Sequence, residues 1–165
     1  MICLDNSEWM RNGDFNPTRM KAQRDAANIL CTRHVSANPE NTIGIMTLAG
    51  PRCTIHATQC NDNSRLHRAI SLDNTPIGGK CRLVNGIKIA RLALKNRPNQ
   101  KGEARIVLFV GSPIQEETKV FRKLGAQLKK NSCGISVVLM GEVGDNREKM
   151  ETLVNAARKE EGQQC

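Results

Sequence analysis

Aromatic residues are scarce in this chain: three Phe, one Trp and no Tyr among 165 residues. That scarcity removes the stacking platforms on which single-stranded nucleic acids are held. Long apolar runs are missing too, and none approaches the ~20 residues needed to span a bilayer. The opening MICLDNSEWM lacks a basic stretch followed by an apolar one, so no secretory signal is expected. No Cys-x-x-Cys occurs. The seven cysteines (Cys3, Cys31, Cys53, Cys60, Cys81, Cys133 and Cys165) are odd in number and scattered, mostly in apolar segments. They read as free, buried thiols of a reducing compartment. A soluble chain on the cytosolic side is the expectation, with no membrane contact.

What is present is ordinary for a globular domain. Apolar residues make up 39% and charged residues 25%, enough for one packed unit over residues 1–165. The formal charge of +9 invites a nucleic-acid reading. The basic residues are nevertheless spread along the chain, and Arg122-Lys123 and Lys129-Lys130 read as the solvated face of one helix. No nucleic-acid partner is expected. A basic ribosome- or nucleic-acid-associated α/β binding protein is the alternative.

Apolar periodicity alternates between strand and helix. Ile2-Cys3-Leu4 is a short apolar run, after which Asn16-Pro17 offers an N-cap and a Pro at the first helical position. Met20, Ala27, Leu30 and Cys31 then share a helical face, and Ser36 to Pro39 ends it. Thr42 to Ala49 is a buried strand, and Cys53 to Thr58, beyond Gly50-Pro51, is its hairpin partner. A short helix covers Leu66 to Ile70. Asn85 to Asn96 is helical and apolar nearly all round, which predicts packing on more than one side. Arg105 to Val110 is a continuous apolar strand of the parallel-sheet kind. Gln115 to Lys130 is an amphipathic helix through Val120, Phe121, Leu124 and Leu128. Ile135 to Met140 is a further strand, and Met150, Leu153, Val154 and Ala157 stripe a last helix. The alternation predicts an α/β fold, a mostly parallel central sheet with helices on both faces.

Ligands of such sheets gather beyond the carboxyl ends of the strands at the topological switch point. Here that edge carries Asp5-Asn6-Ser7-Glu8-Trp9 and Gly111-Ser112-Pro113, with the loop Gly78 to Gly86 beside them. The stretches DNSEWMRNGDFNPTR, NPENTIGIMTLAG, GIKIARLALKNR and LFVGSP resemble the von Willebrand factor A-type domain of the proteasome's non-ATPase ubiquitin-receptor subunit, from about Met1 to about Leu153. The resemblance implies a Rossmann-like three-layer sandwich and a non-catalytic scaffold of the regulatory particle. Its partners would be lid and base subunits, in cytoplasm and nucleus. The loop starting at Asp5 would face the lid. The residues expected at that interface are Asp5, Asn6, Glu8, Trp9, Arg11, Asn12 and Asp14; Trp9, alone in a polar loop, either folds back over the core or serves as the anchor, with Arg11, Asn12 and Asp14 as its polar rim.

A-type domains of adhesion proteins hold a cation with an Asp-x-Ser-x-Ser loop, a Thr and a second Asp. Asp5 and Ser7 match. The third position is Trp9, the threonine position falls near Arg82, and the second aspartate falls near Gly111. One carboxylate and one hydroxyl are a degenerate remnant, short of the oxygen shell a hard cation needs. No metal or other cofactor is expected, and Arg82 or Arg11 is expected to pair with Asp5 in the ion's stead.

Other candidates are weaker. Cys53, His56, Cys60 and His67 mimic a zinc cluster, but strand alternation points Cys53 and His56 apart. Ser7 has no His near it in sequence for a triad, and Gly78-Gly79-Lys80 lacks P-loop spacing, so no catalytic residue is assigned. The helix from Asp145 to Glu161 has the acidic lead of a ubiquitin-interacting helix but lacks its serine, and Arg158-Lys159 breaks the ending. The chain stops at Gln163-Gln164-Cys165, short of the family's last edge strand and its ubiquitin-interacting helices. Polyubiquitin binding is therefore expected only through segments absent from these residues.

Overall fold

The computed structural model describes residues 1–71 and 76–158. Five strands, β1 (Ile2–Leu4), β2 (Ile43–Thr47), β3 (Thr54–Cys60), β4 (Ala104–Val110) and β5 (Cys133–Leu139), form one sheet in the order β3-β2-β1-β4-β5. β1 pairs in parallel with β2 and β4, and β4 with β5, while β3 returns antiparallel along β2 as the expected hairpin. The helices are α1 (Arg19–Ala37), α2 (Asn63–Ser71), α3 (Leu83–Lys95), α4 (Thr118–Lys130) and α5 (Val143–Ala157). Connections that run from β1 outward in both directions put the switch point between β1 and β4.

Strand alternation divides the core in two. Cys3, Met46, Leu48, Ile106, Leu108 and Val110 face one layer, built from α3, α4 and α5. Ile2, Leu4, Ile43, Ile45 and Phe109 face the other, under α1 and α2. Burial pushes the Cys3 thiol up to about 12 and that of Cys31 to about 11, so both act as small apolar core residues. All six cysteines among the described residues are free.

Several sequence expectations need correction. α1 is capped by Thr18, not Asn16: the Thr18 hydroxyl accepts from the Lys21 N–H at 3.2 Å, and Asn16-Pro17 lies outside the helix as a cis peptide. On the same helix Leu30 is exposed; Gln23 takes its place in the buried stripe with Met20, Ala27 and Cys31. α3 packs through a single stripe of Leu83, Ile87, Ala90 and Leu94, flanked by the half-buried Ile89 and Ala93, and leaves Leu92 57% exposed. Val120 on α4 is likewise exposed. The last helix begins at Val143, and the part of its expected span after Arg158 lies outside the described residues.

Candidate functional site

The crevice beyond β1 and β4 is organised around one carboxylate. Asp5 is fully buried, the first residue past β1. Its Oδ1 accepts the Ser7 N–H at 2.8 Å, and its Oδ2 accepts the Gly111 N–H at 3.0 Å and the Ser112 hydroxyl at 2.8 Å. Gln23 of α1 grips the same residue's backbone in both directions, accepting from its N–H at 2.9 Å and donating to its carbonyl at 2.8 Å. Buried carboxylates are tolerable when hydrogen-bonded, and both oxygens of this one are.

The expected arginine pairing is not formed. Arg11 instead bonds Glu8 at 3.1 Å and the Ile77 carbonyl at 2.7 Å, and Arg82 donates to the Gly50 carbonyl at 3.1 Å. Backbone N–H groups and a hydroxyl hydrogen-bond Asp5 in their place. They are already anchored by the strand ends, so no long side chain has to be immobilised.

Around this centre the loop is pinned on every side. Asn6 is buried; it accepts from Ala49 N–H at 2.8 Å and donates to the Pro76 carbonyl at 3.2 Å. Arg19, buried at the start of α1, donates to both Asp14 oxygens at 2.7 and 2.8 Å, to the Gly111 carbonyl at 2.6 Å and to Glu142 at 3.5 Å. Asp14 holds Arg19 above its usual range, and Arg19 in turn holds the Asp14 carboxyl below its own. Asn146 of α5 completes the frame, accepting from Ile114 N–H at 2.9 Å and donating to the Ser112 carbonyl at 2.8 Å.

Does this set fit the hard cation of an A-type crevice? It does not. Asp5 has its oxygens engaged, and Trp9 supplies no oxygen. Cys81, whose thiol burial and the nearby Asp5 charge push well above its ordinary range, puts a sulfur beside Ser112 where a hard cation needs oxygen. At Gly111 a side chain has no room, because a Cβ there would collide with the Met10 sulfur. Ser7 Oγ is buried without a partner, but one hydroxyl is far from an octahedral shell. Among the described residues no group of three or more His, Cys, Asp or Glu side chains converges. The zinc-like quartet is dispersed: His56 bonds Thr47 at 2.9 Å, His67 bonds Asn28 at 2.7 Å, and Cys53 points at the Leu48 carbonyl.

The surface residues of the loop are a different set from the buried ones. Glu8 to Arg11 form one 3-10 turn, in which Met10 plugs the core and Trp9 stands 44% exposed. Glu8, Arg11, Asn12 and Asp14 are exposed with it. Asp5 and Asn6, expected at a contact surface, are instead internal braces.

The von Willebrand factor type A domain pattern matches residues 1–113. The chain belongs to that family, in its Rpn10 branch. It is 37% identical to the SpRpn10 VWA domain, whose crystal structure superposes with a TM-score of 0.89 over 97% of this chain and 82% of that one. It is also 42% identical over 164 residues to the 26S proteasome non-ATPase regulatory subunit 4 homolog of Arabidopsis thaliana, covering 98% of this chain. The homolog of the same name from Oryza sativa subsp. japonica is 41% identical over 157 residues, covering 94%. The Rpn10-like chain spans 42% and 39% of the length of those two relatives.

Sequence reasoning placed Ser112 and the loop holding Cys81 at this edge without giving either residue a role, and it passed over Gln23, Arg19 and Asn146. Gln23 and Asn146 each had a signal, a lone amide in an otherwise apolar helical stripe (Met20-Gln23-Ala27-Cys31, and Asn146-Met150-Leu153-Ala157).

Proposed function

We propose that this A-type domain is a non-catalytic docking module of the proteasome regulatory particle, bridging lid and base in ubiquitin-dependent protein degradation. The observation that carries the reading is the contrast inside one loop. Asp5 is closed off by its own hydrogen bonds, while Trp9, the chain's single tryptophan, stands exposed on the turn that those bonds hold. A rigid exposed tryptophan ringed by Glu8, Arg11, Asn12 and Asp14 is the composition of an interface anchor with a polar rim. Kinship with proteins named as regulatory subunits of the 26S proteasome supports the same reading.

Catalysis is no part of this reading. Ser7 lacks a hydrogen-bond partner, and His56 and His67 are engaged with Thr47 and Asn28, so among the described residues neither imidazole is paired with the crevice hydroxyl of Ser7. Among the described residues no helix is long and apolar enough to cross a membrane. The domain would work in cytoplasm and nucleus, and polyubiquitin capture would fall to segments outside these 165 residues.

The test is a pull-down at moderate salt with wild-type and Trp9→Ala chains, analysed for lid subunits, base subunits and RNA. Proteasome subunits should be retained by the wild type. Trp9→Ala should lose about 2 kcal/mol of binding, roughly thirtyfold, while its own unfolding curve moves by under ~0.5 kcal/mol. RNA retained in place of proteasome subunits, and lost steeply with salt, would establish the nucleic-acid alternative.

A further inference from the structure

The opposite rim of the sheet carries a feature with no place in the Asp5 account. At the amino ends of β4 and β5 a cleft of about 580 Å³ is lined by Arg91, Leu92, Lys95, Arg97, Lys101 and Glu103, with Ala104 and Cys133 at the strand starts beneath. The basic residues are less evenly spread than the sequence suggests. Lys80 to Lys130 holds thirteen Lys and Arg against three Glu. Folding then gathers four of those cations about one opening.

Arg97 builds the wall. It donates to the Leu94 carbonyl at 2.9 Å, the Gln100 carbonyl at 2.8 Å and the Gly102 carbonyl at 2.6 Å, fixing the turn after α3 without losing its charge to any carboxylate. Its Nε is buried and has no partner. Among the described residues Arg91, Lys95 and Lys101 form no ion pair. The Cys133 thiol, raised by burial, is drawn the other way by Arg97 and Arg91, so the fields of both converge on it.

The bland explanation is that these cations only offset helix dipoles, since α3 and α4 both end here. Two carboxyl-terminal helix ends are worth about one negative charge together. Glu103 adds one more. Four cations exceed that sum by about two, an excess that no carboxylate among the described residues pairs with.

We infer that this cleft binds an acidic peptide segment that carries an aliphatic side chain. Carboxylates match the unpaired Arg91, Lys95 and Lys101, and Leu92, 57% exposed on the lip, offers the apolar contact. A nucleic acid fits less well: no aromatic residue lines the cleft for base stacking.

Fluorescence anisotropy with the full chain tests this. The probes are a labelled peptide of four glutamates flanking one leucine, its glutamine analogue, an all-glutamate version and a short oligothymidine. At about 50 mM salt the acidic peptide should bind at least about tenfold more tightly than the glutamine analogue. Lys95→Glu with Lys101→Glu should weaken it about tenfold or more, while Lys119→Glu with Lys123→Glu, on the exposed face of α4, should change it less than about twofold. Leu92→Ala should weaken the leucine-bearing peptide but not the all-glutamate one. Equal losses from both charge-reversal pairs would overturn the inference, as would no binding of the acidic peptide by the wild type. Tighter binding of oligothymidine, abolished by the Lys95 and Lys101 changes, would also overturn it. Should the double variant fail to fold, the comparison of peptides on wild type and Leu92→Ala still decides.

Discussion

The two rims of this sheet handle buried and exposed charge in opposite ways. At the carboxyl rim Asp5 is wholly internal, and every one of its close partners is a protein donor. At the amino rim Arg91, Lys95 and Lys101 stand around a cleft and form no ion pair among the described residues. The first arrangement spends its polarity on shape, because a carboxylate hydrogen-bonded through both oxygens ties the ends of β1 and β4 together and holds the start of the loop bearing Trp9. The second leaves its charge for whatever docks there. In both places a charged group informs about function only after its partners have been counted.

Removing the central group should break the carboxyl rim most severely. Asp5→Ala leaves the Ser7 and Gly111 N–H groups and the Ser112 hydroxyl buried without an acceptor, which should cost about 3–5 kcal/mol in urea unfolding. A loss under ~1 kcal/mol would mean that the network is not holding the two strand ends. Gly111→Asp, which restores the family's second carboxylate by type, should still destabilise by about 1–3 kcal/mol, since its Cβ collides with Met10 and a second carboxylate meets Asp5. The smallest effect belongs to the rim's outer strap. Arg19 lowers the Asp14 carboxyl in the folded state, so its contribution is present above the unfolded value of 3.8 and is lost as pH falls through the lower folded one. The melting-temperature gap between wild type and Asp14→Asn should therefore be open near neutral pH and close once pH drops below that value. A gap that widens in acid would contradict the Arg19–Asp14 pairing.

How much of this was legible in the residues differs by kind of interaction. RIVLFV and TIGIMTLA announced buried strands because apolar continuity and β-branching act locally, and Asp5 was found because it follows the first strand at the switch edge. Ser7, Gly111 and Ser112 were placed on the same edge, but their pairing with Asp5 was not legible. The Gly111 N–H arrives from 106 residues away and carries no side-chain signature at all, so an arginine looked the better candidate. Leu30 and Leu92 mislead for the opposite reason: an apolar side chain one position off the stripe is solvated at small cost, and pattern reading counts it as core. Likewise Arg91 and Lys95 fall within the expected helix and Arg97 and Lys101 beyond it, and only the fold brings all four around one cleft with the start of β5.

The account rests most directly on the Asp5 crevice being complete in itself. Thermal unfolding of the wild-type domain at rising Mg²⁺ or Mn²⁺, with ionic strength held constant, probes that completeness, because a ligand that binds only the folded state at a hundred times its Kd adds about 2.7 kcal/mol. The expected result is a melting temperature independent of either ion, equal to that of the Ser7→Ala variant within error. A saturable rise that Ser7→Ala abolishes would show a cation held where the Asp5 hydrogen bonds now stand, and would contradict it.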